Sequence, residues 1–146
     1  AFGPEARGSA CSAQVTIAEQ AIGYPYVKQP DVLVLMSQDA CTQFAPTLKP
    51  GGRLLYEEEL VKLEGSLPAG ATAFGIPATR FAEELGRRLV LNIVMAGFFT
   101  GVTGLVGAEA MEQAVKASVP KGTEDLNLRA LQKGLAYGRD LAAAVR

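Results

Sequence analysis

The chain has 146 residues, 49% hydrophobic and 20% charged, which suits one domain with a buried core. Fourteen basic against fifteen acidic residues leave a net charge of −1, so composition gives no electrostatic footprint for nucleic acid or an anionic membrane. There is no His, and the two cysteines, Cys11 and Cys41, lie far apart; this argues against a His-assisted hydrolase, a disulfide framework and a zinc site, and falls short of the about four thiolates that hold an iron–sulfur cluster.

Residues 1–9, AFGPEARGS, read as a loop. Residues 10–18, ACSAQVTIA, alternate small or apolar with polar types and end β-branched, which predicts a strand. Tyr24-Pro25-Tyr26 is extended, because the residue before proline avoids the helical region. The unbroken run VLVLM at 32–36 predicts a central parallel strand covered on both faces. Ser37 or Asp39 then caps a short helix from Ala40 to about Leu48, and Lys49-Pro50-Gly51-Gly52 is a sharp turn. RLLY at 53–56 is the next strand. Glu57-Glu58-Glu59 reads as a solvated loop or edge.

Ala71–Ile76 is a further strand, and Pro77 suits the first turn of the helix that follows. That helix carries Phe81, Ala82 and Leu85 on one face and stops at Gly86. Residues 88–100 form a long apolar helix, broken at 101–107. The apolar run 89–106 holds Asn92, two Thr and three Gly, so it reads as a buried helix and a turn; a membrane span wants about 20 clean apolar residues. Glu109 to Val119 is amphipathic, with Met111, Ala114 and Val115 on one face. Thr123 is placed to cap a final helix whose apolar face is Leu126, Ala130, Leu131, Leu135, Leu141 and Ala142.

Strands alternating with helices, then helices alone, describe a three-layer α/β domain with a mostly parallel sheet. Both cysteines read as small buried residues in a reducing cytosol. No secretory signal pattern opens the chain, and the localisation expected is cytoplasmic. Asn92, inside an apolar helix, is expected to be buried and to bond either a neighbouring loop or a ligand or partner chain. Ser37 and Gln38 follow a strand at its carboxyl end, where α/β sheets bind ligands; a plain helix cap is the other reading. Arg7, between Gly3 and Gly8, suits a phosphate or carboxylate, or else an ion pair with Glu5 or an interface.

GPEARG at 3–8, IGYP at 22–25, PDVLVLMSQDA at 30–40, LKPGG at 48–52, GIPAT at 75–79, LNIVMAG at 91–97, and then Asn127 and Gly134 form an ordered set. It resembles the gamma subunit, or gamma domain, of the 2-oxoacid:ferredoxin (acceptor) oxidoreductases over essentially all 146 residues. The resemblance implies a Rossmann-like domain, 1–146, in an enzyme that converts a 2-oxoacid and coenzyme A to acyl-CoA, CO2 and reduced acceptor. It implies thiamine diphosphate, Mg and iron–sulfur clusters on partner alpha, beta and ferredoxin-like subunits, and none held by this chain alone. Its share would be part of the coenzyme A site and of subunit assembly, with no catalytic residue, no nucleic acid and no membrane. Gly3, Glu5, Arg7, Gly8, Ser37, Gln38 and Asn92 are the residues singled out for cofactor contact. The family pattern also implies a first βα unit of roughly 35 to 40 residues before Ala1, by the logic of nucleotide-binding βα turns. Ser9 stands where the family more often has Gly, and Arg80 where many relatives carry an acid. A non-catalytic nucleotide- or acyl-CoA-binding module is the alternative.

Overall fold

The computed structural model describes residues 11–24 and 26–145. Three parallel strands, β1 (Val32–Leu35), β2 (Arg53–Glu57) and β3 (Thr72–Ile76), form a sheet in the order β1-β2-β3. Register aligns Val34 with Leu55 and Leu55 with Phe74. Five helices accompany the strands among the described residues: α1 (Gln38–Phe44), α2 (Ala78–Glu84), α3 (Leu91–Thr103), α4 (Ala108–Ser118) and α5 (Glu124–Ala144).

Strand alternation divides the core between two faces. Leu55, Phe74 and Ile76 pack with Ala78, Ala82, Val94, Phe98 and Ala130 from α2, α3 and α5. Leu35 and Leu54 pack on the other face with Cys41 of α1, Leu48 and Val61. Helices or loop therefore cover both sides of the sheet, as a parallel sheet requires.

The tightest contact joins α3 to α5. A Cβ at Gly97 would lie 2.0 Å from the Leu131 carbonyl oxygen, and one at Gly134 would lie 2.0 Å from that of Val94. Gly101 and Gly138, one turn further along each helix, meet the Leu135 and Phe98 carbonyls in the same way. The paired positions rise together along both helices, so α3 and α5 run side by side in parallel, backbone against backbone. Outside this seam, Lys133 of α5 pairs with Glu84 of α2 and stands 4.6 Å from the centre of the Phe81 ring. The Lys133 hydrogen bond holds the Glu84 carboxyl below its ordinary range.

Several expectations change. The predicted strand over 10–18 is absent from its described part: only Cys11 is a bridge residue, and Val15 and Ile17 are 78% and 75% exposed. No described strand lies beside them, so the alternating pattern has nothing to pair with. Among the described residues the run 32–36 stands at the edge of the sheet, with Val34 39% exposed, and β2 is the central strand. The apolar helix continues through Gly101 to Thr103, because Gly101 is needed at the α5 contact. Ala114 is exposed on α4, where Val115 alone is buried. Thr123 precedes α5 without capping it, since its hydroxyl donates to the Pro120 carbonyl at 2.7 Å.

Candidate functional site

The carboxyl ends of the three strands deliver Ser37 and Gln38, the loop from Glu57 to Lys62, and Pro77 to Arg80 to one end of the sheet. Ser37 is the N-cap of α1, its hydroxyl accepting from the Ala40 N–H at 3.2 Å. That satisfies one of the amides a helix start leaves without partners. The Gln38 side chain engages Lys62 with both ends. Its Nε2 donates to the Lys62 carbonyl at 3.2 Å, and its Oε1 accepts from the Lys62 N–H at 2.8 Å. Gln38 thus fastens the loop after β2 to the start of α1.

The other end of that loop is held by Glu57, which corrects the reading of 57–59 as a solvated run. Glu57 is fully buried. One carboxylate oxygen accepts from the Leu60 N–H at 2.6 Å and the other from the Thr79 N–H at 3.0 Å. A buried carboxylate is tolerated only when hydrogen bonds replace its water. Here the two amides do so, and in return Glu57 joins the end of the central strand to the first turn of α2. Sequence reasoning missed it because three consecutive Glu look alike; the usable signal was its place one step beyond a buried strand. Glu58 and Glu59 are exposed. The Thr79 hydroxyl is buried and has no hydrogen-bond partner among the described residues.

The cofactor-contact candidates divide accordingly. Gly3, Glu5, Arg7 and Gly8 lie outside the described residues. Ser37 and Gln38 are adjacent at the carboxyl end of β1, both engaged in holding backbone. Asn92 is exposed rather than buried. It lies in the first turn of α3 on the side opposite Val94, Met95 and Phe98, which face the core. No hydrogen bond joins it to Ser37 or Gln38 among the described residues. The arrangement builds a shaped, fastened edge and, among the described residues, brings no nucleophile against a base.

Two clefts flank this framework. One, of about 520 Å³, opens between α1 and the loop 63–68, lined by Gln38, Cys41, Thr42, Leu63, Glu64 and Leu67 among others. Burial pushes the Cys41 thiol up from its ordinary range, and nearby Glu64 adds to this. The other, of about 240 Å³, lies at the amino ends of the strands. There Lys49 pairs with Asp31 at 2.7 Å, and the Arg53 guanidinium donates to the Val102 and Thr103 carbonyls at the end of α3.

The cysteines differ, against the expectation that both are buried: Cys41 is, and Cys11 is exposed. Thiolate availability and access set alkylation rates. Iodoacetamide at neutral pH is therefore expected to modify Cys11 at least about tenfold faster than Cys41, as read by peptide mass spectrometry. Equal rates would contradict the packing of α1.

Comparison with known proteins gives the following. Residues 1–137 match the family model described as pyruvate ferredoxin/flavodoxin oxidoreductase. The 2-oxoglutarate synthase subunit KorC of Methanocaldococcus jannaschii is 43% identical over 141 residues, covering 96% of this chain and 75% of that protein. The ketoisovalerate oxidoreductase subunit VorA of Methanothermobacter thermautotrophicus is 35% identical over 145 residues, covering 96% of this chain and 29% of that protein. Among solved structures, the gamma subunit of a keto/oxoacid ferredoxin oxidoreductase from Geobacter sulfurreducens superposes with a TM-score of 0.68 at 35% identity. It covers 74% of this chain, and this chain spans 63% of its length.

Proposed function

Because the chain belongs to the pyruvate ferredoxin/flavodoxin oxidoreductase family, we propose that it is the gamma subunit, or gamma portion, of a multi-subunit enzyme. That enzyme oxidatively decarboxylates a 2-oxoacid with coenzyme A, giving acyl-CoA, CO2 and reduced ferredoxin or a related acceptor. The carrying observation is likeness along nearly the whole chain to KorC, at 43% identity. Three KorC subunits at 43%, 45% and 43% identity stand above VorA at 35%, and a fourth KorC at 27% stands below it; the higher group favours 2-oxoglutarate as the substrate of the assembled enzyme. Thiamine diphosphate supplies the carbanion chemistry and iron–sulfur clusters the electron transfer in such a reaction; this reading gives both, with Mg, to partner subunits.

The contribution of this chain is then binding and shape. Ser37 and Gln38 stand where α/β sheets receive ligands, and the loop 57–62, fastened by Glu57 and Gln38, forms the rest of that rim. Arg7 supplies a planar cation suited to a coenzyme A phosphate, with Gly3 and Gly8 allowing close backbone approach. Asn92, free on the surface of α3, suits a partner chain better than this rim.

Native pull-down of the tagged chain tests the reading. The expected result is co-purification of a thiamine-diphosphate-binding subunit and a ferredoxin-like subunit, with kcat/KM of the assembly higher for 2-oxoglutarate than for ketoisovalerate. Recovery of the chain alone would favour a non-catalytic acyl-CoA- or nucleotide-binding module instead.

A further inference from the structure

Resting on the subunit reading above, we infer that the outer edge of β3 is a strand-addition site. Its occupant is an extended segment of a partner subunit that carries a basic side chain opposite Glu58. The ladder fixes which backbone groups of β3 are free. The Thr72 N–H donates to the Gly52 carbonyl at 3.0 Å, and the Ile76 carbonyl accepts from the Glu58 N–H at 3.0 Å. Backbone groups alternate in direction along a strand. Thr72, Phe74 and Ile76 therefore pair with β2, while Ala73 and Gly75 turn their N–H and C=O away from it. β3 is the last strand on that side among the described residues, and Ala73 and Gly75 are only partly buried.

An unpaired edge is a template for another strand, and proteins usually block one with proline, charge or a bulge. The sequence of β3, TAFGI, contains neither proline nor charge. It is also narrowest at Gly75. A Cβ on Gly75 would stand 2.9 Å from Tyr56 Cζ and 3.1 Å from Glu58 Oε2. The Tyr56 ring and the Glu58 carboxylate thus lie directly against the glycine.

Tyr137 of α5 flanks the opposite face, its ring 5.4 Å from that of Phe81 in a T-shaped contact. Burial pushes the Tyr137 hydroxyl up, Glu58 adds to this, and Arg80 pulls the other way. Neither Glu58 nor Arg80 has an ion-pair partner among the described residues. The edge thus presents outward backbone groups at two residues and a carboxylate lying against Gly75. A backbone-pairing segment with a cation set against Glu58 satisfies that pattern.

Amide hydrogen exchange on the chain, alone and in the co-expressed complex, tests this. Ala73 and Gly75 are expected to exchange at least about tenfold more slowly in the complex, with Phe74 protected in both states. Unchanged exchange at Ala73 and Gly75 overturns the inference. Ala73→Pro removes one outward N–H and no ladder bond, and Glu58→Lys reverses the flanking charge. Each is expected to lower complex yield in native mass spectrometry while the isolated variant melts like wild type. If a variant fails to fold, the exchange experiment on the wild type decides. Variants that assemble normally overturn the edge site and leave the subunit reading standing. A wild-type chain that assembles with nothing overturns the subunit reading, and the edge site with it.

Discussion

Replacing Gly97 by Ala is expected to remove at least about 4 kcal/mol of stability, a large part of the about 5–15 kcal/mol a domain holds. The new methyl would lie 2.0 Å from the Leu131 carbonyl oxygen and 2.9 Å from the Leu135 nitrogen. Both are backbone atoms of α5, so no side chain can swing aside. The helices must separate, and Val94, Phe98 and Ala130 lose the contacts that make them core. Urea unfolding followed by circular dichroism measures the loss. Gly23→Ala is the control: it has open space around it and should stay within about 0.5 kcal/mol of wild type. A Gly97→Ala protein as stable as that control would show that α3 and α5 are not in backbone contact.

Removing the Glu57 carboxylate should be the second large effect. Glu57→Ala leaves the Thr79 amide without its acceptor in a buried place and the Leu60 amide without its acceptor in a part-buried one. Losing two hydrogen bonds to a charged group, with the donors left inside, costs about 3 kcal/mol or more. Glu57→Gln keeps one acceptor oxygen and should lose about half as much. Glu59→Ala, on the exposed side of the same loop, should lie within about 0.5 kcal/mol of wild type. Chemical denaturation of the three variants gives the ranking. Equal losses for Glu57→Ala and Glu59→Ala would show that the first carboxylate clamps nothing. In the assembled enzyme, Glu57→Ala should also weaken complex formation, because it frees both the loop 57–62 and the start of α2.

The parts of the fold that were legible in the sequence are those where a local rule and the tertiary packing agree. VLVLM, RLLY and ATAFGI are short runs bounded by turn residues, and each matches a strand to within one residue at an end. Pro77 opens α2 and Ser37 caps α1 as their residue types suggest. Legibility failed where a distant element decides. Sheet order depends on which strands are present to pair, so VLVLM reads as central and stands at the edge among the described residues. Gly101 is a helix breaker by propensity and a helix interior residue by need, since only α5 shows why no side chain fits there. Asn92 sits in a buried sequence neighbourhood, yet the helix phase set by Val94, Met95 and Phe98 turns it outward. The rim of the candidate site was readable as a place, the carboxyl ends of strands. Its fastenings were not, because Gln38 to Lys62 and Glu57 to Thr79 link residues 24 and 22 apart.

The side-by-side course of α3 and α5 also bears on how the chain comes to be folded. Adjacent strands are parallel throughout the sheet, and the closest helix pair is parallel as well, so each pairing needs an intervening crossover. Contacts between distant parts of a chain form late, since loop closure must come first. During synthesis the face bearing Leu55, Phe74 and Ile76 emerges well before Ala130, Gly134 and Gly138 can cover it. Until α5 is made and seated, the nascent sheet shows an open apolar face. Docking of α5 is thus the step that closes this core.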